Sequence, residues 1–186
     1  MTKIIAIANQ KGGVGKTTTA VNLAHGLVLA GKSVLLVDLD PQGQCAAILG
    51  LKQEPGVFNL LVAELLPNQV VRSTDRPHLF IILGDKKTAT AQTVLSVQRA
   101  RIDYTYQKLE PIARDDGYDY IVLDTSPSIG ELQEQALWAS DGVLIPCAAD
   151  YLATDGVISI VATMKKLVTE QKWKGKVLGV DRKSVV

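Results

Sequence analysis

Hydrophobic positions along the chain follow two alternating patterns. Short, nearly unbroken apolar runs predict strands, and longer segments with apolar residues every three or four positions predict helices. The predicted strands cover residues 3–9, 34–38, 78–83, 119–124, 142–146 and 176–180. The predicted helices cover residues 16–30, 57–65, 89–113, 130–139 and 155–172. Segment 67–77 has no regular period and is predicted to be a loop.

This order of elements indicates an α/β fold, a doubly wound and mostly parallel sheet flanked by helices. Several strands are apolar throughout, as expected when helices cover both faces of a parallel sheet. Right-handed crossovers then place ligands at the carboxyl ends of the strands. With 186 residues, of which 47% are hydrophobic, the chain is interpreted as one domain over residues 1–186.

Composition narrows the classes of function only a little. Lys and Arg number 20 against 19 Asp and Glu, so only a local basic patch could bind a nucleic acid. There is no signal peptide, and no apolar run reaches the roughly 18 to 20 residues of a membrane span, so a cytoplasmic protein without a membrane partner is expected. Cys45 and Cys147 match no metal spacing and are expected to be small thiols in or near the core.

The stretch ANQKGGVGKTT, residues 8–18, links the first predicted strand to the first predicted helix. Its glycines allow backbone N–H groups to turn inward on phosphate oxygens, and the helix N-terminus adds partial positive charge. This context predicts a P-loop in which Lys16 reaches the β- and γ-phosphates and the Thr17 hydroxyl binds Mg²⁺. The strict pattern G-x-x-x-x-G-K-[ST] is not met, because Gln10 stands at its first glycine.

Acidic residues follow two of the predicted strands. Asp38 and Asp40 come at and just beyond the end of strand 34–38, and Asp124 ends strand 119–124. Taken singly, each could be a turn residue or a helix N-cap. Beside a P-loop, an Asp that closes an apolar strand is the usual way to bring a carboxylate to the nucleotide's Mg²⁺.

Three segments together carry a family resemblance, and a fourth matches more loosely. They are KGGVGKTT at 11–18, VLLVDLDPQGQ at 34–44 and YDYIVLDTSPS at 118–128, with PCAADYLATDGV at 146–157 as the looser match. With them the chain resembles the ParA/MinD family of P-loop ATPases, which have a deviant Walker A motif. It is most similar to small ParA-type partition ATPases.

The resemblance implies a role for each matching residue, with ATP and Mg²⁺ as cofactors. Thr17 would ligate Mg²⁺, Asp124 would support the metal, and Asp38 would lie at its outer shell. Asp40 would position or activate the attacking water. The residues implied to bind the nucleotide are Lys11, Gly12, Gly13, Val14, Gly15, Lys16, Thr17 and Thr18.

Lys11 matches the family's signature lysine. In the family that lysine reaches the phosphates held by the other subunit of an ATP-sandwich homodimer. A cation delivered in this way neutralises charge on the γ-phosphoryl oxygens and makes the active site complete only in the dimer. Lys11, Lys16 and Asp40 are therefore the expected catalytic residues, with a solvated loop lysine as the alternative for Lys11.

The resemblance also implies a function: the ATP-bound dimer holds DNA without sequence preference and is nucleoid-associated. A cargo-bound, ParB-like adaptor then stimulates a slow intrinsic ATPase and releases the dimer, which positions a plasmid, a chromosome region or a protein compartment. Basic residues in the tail half could contact the DNA, or form an ordinary solvated helix face. They are Lys165, Lys166, Lys172, Lys174, Lys176, Arg182 and Lys183.

Two departures from the family leave more than one interpretation open. Ala148 and Ala149 stand where the family usually carries a glutamine, and the chain stops at residues 181–186 where the family runs on. It is either a naturally minimal member or a truncated one, and a truncated copy could be inactive. The chain could also be a MinD-like septum-placement ATPase, although its end has no amphipathic helix, or a metabolic P-loop enzyme acting on a small carboxylic acid.

Overall fold

A computed structural model describes residues 2–52, 55–115, 117–128, 130–149 and 153–183. Its strands are β1 (Lys3–Ile7), β2 (Val34–Leu39), β3 (Val71–Ser73), β4 (Leu79–Ile82), β5 (Tyr120–Thr125), β6 (Gly142–Ala148) and β7 (Lys176–Lys183). Its helices are α1 (Lys16–Leu29), α2 (Gln44–Ile48), α3 (Val57–Leu61), α4 (Pro67–Val70), α5 (Lys87–Val97), α6 (Tyr104–Asp115), α7 (Glu131–Ala139) and α8 (Ala153–Gln171).

The strands of the described residues form one sheet in the order β3-β4-β2-β5-β1-β6-β7. Every neighbouring pair in it is parallel except β3 and β4. The predicted doubly wound, mostly parallel sheet is therefore confirmed. Strand β1 lies between β5 and β6, so the loop that follows β1 emerges beside the carboxyl ends of both.

The core has two parts because the sheet is covered on both faces. Along β2 the alternating residues Leu35 and Val37 pack in one hydrophobic cluster, while Val34 and Leu36 pack in the other. This is the period of two that a strand imposes. Helices α1 and α2 cover one face, and α3, α5, α6, α7 and α8 cover the other.

The predicted helix 89–113 is wrong as a single element, because it is two helices, α5 and α6. Arg99 adopts a left-handed conformation with φ 49°, and the Ala100 N–H donates to the Leu95 carbonyl at 2.9 Å, which ends α5. The Asp103 carbonyl then accepts the Gln107 N–H at the start of α6. The apolar period continues across this break, so the hydrophobic pattern does not reveal it.

The predicted loop 67–77 is also corrected, since it contains the short helix α4 and the edge strand β3. Strand β3 is antiparallel to β4. Helix α2 was not predicted, because five residues are too few to show a helical period. Residues 150–152 of the fourth resembling segment and residues 184–186 of the chain end lie outside the described residues.

None of the helices in the described ranges is long and apolar enough to cross a membrane.

Candidate functional site

The loop between β1 and α1 has the backbone of an anion site. Gly13 and Gly15 are left-handed, with φ of 72° and 87°, a conformation that favours glycine. Helix α1 begins at Lys16, and its first intrahelical bond here runs from the Thr19 N–H to the Gly15 carbonyl at 2.8 Å. The preceding N–H groups of the helix start have no intrahelical acceptor and are available to phosphate oxygens.

Lys16 lies inside this loop, with only 6% of its surface exposed. Its Nζ donates to the Lys11 carbonyl at 2.9 Å. Burial lowers the pKa of the Lys16 ammonium, and the carboxylates of Asp124 and Asp40 oppose that shift. The structure thus places a buried cation between the loop and two of the predicted acidic residues.

Asp38 and Asp124 are direct register partners on the adjacent strands β2 and β5, and both are fully buried. The Asp38 carboxylate accepts the N–H groups of Asp40 and Cys45, each at 3.1 Å. Burial raises the pKa of Asp38 to about 7, and the neighbouring Asp124 adds to the rise. Burial also raises the pKa of Asp124 to about 6, against hydrogen bonds from Thr17 and Cys45 that lower it.

These acidic residues fit a hard divalent cation. The Thr17 hydroxyl bonds the Asp124 carboxyl, and Asp124 Oδ1 is buried with no hydrogen-bond partner among the described residues. A buried carboxylate oxygen without a partner is costly, and a cation or a proton would offset that cost. Hydroxyl and carboxylate oxygens are the ligands that Mg²⁺ prefers. Thr17, Asp38 and Asp124, predicted as metal residues, are therefore brought together.

Cys45 belongs to the same group, which the sequence did not predict. A ligand atom from each of Asp38, Cys45 and Asp124 lies within 4.8 Å of the others. The Cys45 thiol donates to Asp124 Oδ2 at 3.5 Å, and burial raises the pKa of that thiol. Cys45 is thus a protonated donor that orients Asp124. The expectation of a buried thiol is correct, but its proximity to the carboxylates depends on the unpredicted helix α2.

Asp40 occupies a turn directly after β2. Its Oδ1 accepts the Gln42 N–H at 2.9 Å, and its own N–H donates to Asp38. Gly84, at the end of β4, packs behind this turn so closely that a Cβ there would lie 2.5 Å from the Asp38 carbonyl oxygen. Asp40 is half-buried, so it is nearer to solvent than Asp38.

Lys11 lies at the rim of the same loop and is half-buried. Its carbonyl accepts the Lys16 ammonium, and its N–H donates to the Asn9 side chain at 2.9 Å. Ala148, which stands where the family usually carries a glutamine, is buried against Val14 of the loop. Ala149 is exposed.

Comparison with known proteins shows which family this chain belongs to. A family model described as "AAA domain" matches residues 2–177. The chromosome-partitioning ATPase Soj of Thermus thermophilus is 42% identical over 176 residues, which cover 95% of this chain and 67% of that protein. The chain belongs to the ParA/MinD family of P-loop ATPases. The sporulation initiation inhibitor protein Soj of Bacillus subtilis is 40% identical over 89% of this chain and 66% of its own length.

Solved structures agree with that membership. Apo McdA from Cyanothece superposes with a TM-score of 0.89 at 27% identity, covering 97% of this chain and 71% of that protein. Cobyrinic acid a,c-diamide synthase from Mycobacterium smegmatis, with a bound ATP analogue and magnesium, gives the same TM-score at 30% identity, covering 98% of this chain and 75% of that protein. This chain spans about two thirds of the length of its partition relatives.

Two further residues of the site were missed by sequence reasoning. Asn9 is fully buried, and Gly156 of α8 packs against it. Asn9 carried a usable signal, because it is the first polar residue after the apolar run of β1. Gly156 carried none, because its contact depends on how α8 lies against the loop.

Proposed function

We propose that this chain is a partition ATPase that binds ATP with Mg²⁺, pairs through the bound nucleotide as a homodimer, and separates after hydrolysis. The observation that carries the proposal is the meeting of Lys16, Thr17 and the buried carboxyl group of Asp124 at the ends of β1 and β5. One oxygen of that carboxyl group has no hydrogen-bond partner among the described residues. This arrangement occurs in a chain whose relatives include chromosome-partitioning ATPases.

Each residue of the loop has a task in nucleotide binding. The backbone N–H groups of residues 12–18 hold the phosphates, and Lys16 exchanges the Lys11 carbonyl for phosphate oxygens. Thr17 and Asp124 would hold Mg²⁺, with Asp38 beside them. When bound, Mg²⁺ neutralises negative charge on the phosphates. A bound cation also favours the ionised carboxylates, whose pKa values burial has raised.

Hydrolysis needs an oriented water and a cation at the γ-phosphate. Asp40 is near enough to Lys16 to influence its ammonium, and it is more accessible to water than Asp38. It therefore orients the attacking water. Lys11 supplies its ammonium to the nucleotide of the partner subunit, so that turnover depends on dimer formation.

The dimer's DNA surface is proposed on the tail half of the chain. Lys165 and Lys166 are exposed on α8, and Lys172, Lys174 and Lys176 are exposed between α8 and the start of β7. Exposed cations of this kind bind phosphates without reading sequence. A cargo-bound, ParB-like adaptor would stimulate an intrinsic ATPase that is slow by itself.

The test is the molar mass in solution with ADP and with a non-hydrolysable ATP analogue, measured by light scattering. The wild type is expected to be monomeric with ADP and dimeric with the analogue. Lys11→Ala is expected to bind nucleotide but stay monomeric, because the cation delivered in trans is missing. Lys32→Ala is the matched control, since Lys32 is exposed and precedes β2, at the amino end of that strand rather than at the carboxyl ends where the loop lies. Unchanged dimerisation of Lys11→Ala rejects the in-trans role.

A second candidate function is favoured by one observation, the close likeness to cobyrinic acid a,c-diamide synthase. In that case the chain would use ATP to activate a small carboxylic acid. Strong stimulation of ATP hydrolysis by such an acid, without a dimer in the presence of the ATP analogue, would replace the partition proposal.

A further inference from the structure

Asn9 makes two side-chain hydrogen bonds at the point where β1 ends and the phosphate loop begins. Its Nδ2 donates to the Pro146 carbonyl of β6 at 2.7 Å, and its Oδ1 accepts the Lys11 N–H at 2.9 Å. The side chain is fully buried. It therefore joins the backbone of Lys11 to Pro146 of β6, which lies 137 residues from Asn9 in the sequence.

Helix α8 closes around the same point. A Cβ at Gly156 would collide with Asn9 Oδ1 and would lie 2.9 Å from the Lys11 Cβ. About two turns further along α8, the Thr163 hydroxyl accepts a hydrogen bond from Gln10 Nε2 at 2.9 Å. Residues 9–11 are thus held between β6 and α8, and only a residue without a side chain fits at position 156.

The neutral amide of Asn9 satisfies both of its partners at once. The Lys11 N–H requires an acceptor, and the Pro146 carbonyl requires a donor. An aspartate would face the carbonyl with a second acceptor, and a buried unpaired acceptor is costly. The bond from Lys16 to the Lys11 carbonyl is one that Lys16 gives up when it turns to a phosphate. The bond from the Lys11 N–H to Asn9 does not depend on the nucleotide.

We infer that Asn9 is a positioning residue for Lys11, and that Gly156 provides the space this arrangement needs. The inference rests on the proposed in-trans role of Lys11. The direction of the Lys11 Cα–Cβ bond follows from its backbone, and a long side chain multiplies any rotation there into a displacement of its ammonium. A displacement of about 1 Å at a catalytic group can cost on the order of a hundredfold in rate.

The experiment compares three single variants, Asn9→Ala, Gly156→Ala and Lys11→Ala. A double variant that combines Asn9→Ala with Lys11→Ala is measured beside them. ADP affinity, dimerisation with a non-hydrolysable ATP analogue and ATP turnover are measured for each. Asn9→Ala and Gly156→Ala are expected to keep ADP affinity within about threefold and to weaken dimerisation and turnover at least about tenfold. In the Lys11→Ala background, Asn9→Ala is expected to cause no further loss, because both act through one ammonium.

Gly156→Ala tests the same arrangement from α8, because alanine raises helix propensity while its Cβ would displace Asn9. Urea denaturation of each variant separates a folding defect from a displaced Lys11. Gly26→Ala in α1 is its control, since a Cβ there meets nothing within 4 Å, and it is expected to dimerise like the wild type. Losses from Asn9→Ala and Lys11→Ala that add, or an equal loss of ADP affinity, overturn the inference. So does normal dimerisation of both Asn9→Ala and Gly156→Ala beside a defective Lys11→Ala. A normal Lys11→Ala instead overturns the proposed in-trans role of Lys11, and this inference with it.

Discussion

The acidic residues of the site show how single side chains are prepared for a cation. Asp38 and Asp124 are adjacent, buried and raised in pKa, so the ligand-free protein retains two carboxyl groups at a cost to its stability. Lys16 opposes the rise in the pKa of Asp124 only in part, because burial has the larger effect. Such strain is expected where a site is built for a ligand that relieves it.

Asp124→Asn is expected to stabilise the ligand-free protein at pH 8 by up to about 3 kcal/mol, from the rise of the pKa from 3.8 to about 6. A carboxyl group whose pKa is higher in the folded state than in the unfolded state contributes stability at pH values below its unfolded-state pKa. That advantage is lost as the pH rises through about 6, where the wild type carries a buried charge. The variant should therefore equal the wild type near pH 4 and exceed it above pH 7.

Urea denaturation at several pH values measures this difference. Asp75→Asn is the control, because Asp75 is exposed and outside the site. A variant that is less stable than the wild type at pH 8 would contradict the assignment of a destabilising charge to Asp124. Asp124→Asn is also expected to lose the part of its ATP affinity that depends on Mg²⁺.

Asp40→Ala is expected to retain ATP and the dimer but to lose turnover, because the carboxylate proposed to orient water is removed. The expected loss is on the order of a hundredfold or more in the rate of phosphate release, as for other groups that act by positioning and general base catalysis. Size measurement with ATP itself should then show a long-lived dimer. Normal phosphate release by this variant would remove Asp40 from the role.

Between elements, close packing of backbone fixes where the site residues point. Strand β4 ends at Ile82, and Gly84 two residues later lies directly behind Asp38 at the end of β2 and Asp40 in the turn that follows. Gly156 does the same for residues 9–11 from α8. In both places a glycine lets one element approach another closely, because it has no side chain.

Gly84→Ala is expected to destabilise the protein by about 2 kcal/mol, since its Cβ would lie 2.5 Å and 2.7 Å from the carbonyl oxygens of Asp38 and Asp40. The displaced turn should also weaken binding of ATP with Mg²⁺. Urea denaturation and calorimetry measure the two effects. Gly26→Ala is the control and is expected to raise stability by up to about 1 kcal/mol, because it adds helix propensity in open space. Equal stability of the two variants would contradict the packing argument.

Over the whole molecule, charge is nearly balanced, with 20 basic against 19 acidic residues. A DNA surface must therefore be local, and the exposed lysines on and after α8 are the group proposed for it. Two of these lysines lie on α8, and Gln10 of the phosphate loop donates a hydrogen bond to Thr163 of the same helix. Helix α8 therefore connects the phosphate loop to the basic surface.

Lys165→Ala combined with Lys166→Ala is expected to weaken DNA retention by the ATP-bound dimer uniformly across sequences. The slope of log affinity against log salt should fall by about two, one for each DNA phosphate that a lysine no longer neutralises. Gel shift across a salt series measures it. Lys86→Ala combined with Lys87→Ala is the control, as a pair of neighbouring exposed lysines at the start of α5. Identical slopes for both pairs would reject the α8 surface.

The amino-acid sequence by itself determined the sheet, the phosphate loop and the acidic strand ends. These follow from local chemistry: apolar runs form buried strands, and glycines before Lys16 and Thr17 allow the loop to turn on an anion. Asp38 and Asp124 lie side by side only because the strand order makes β2 and β5 neighbours, and the structure supplies that order. The family resemblance rested on the same segments and is confirmed by the relatives.

Only the tertiary structure decided what surrounds those residues. Cys45 reaches Asp124 across 79 residues, and Asn9 reaches Pro146 across 137. The break at Arg99 and the edge strand β3 were likewise invisible to periodicity. Such features arise because hydrogen bonds and close backbone contacts depend on how separate elements pack, whereas a hydrophobic pattern records only which face of an element is buried.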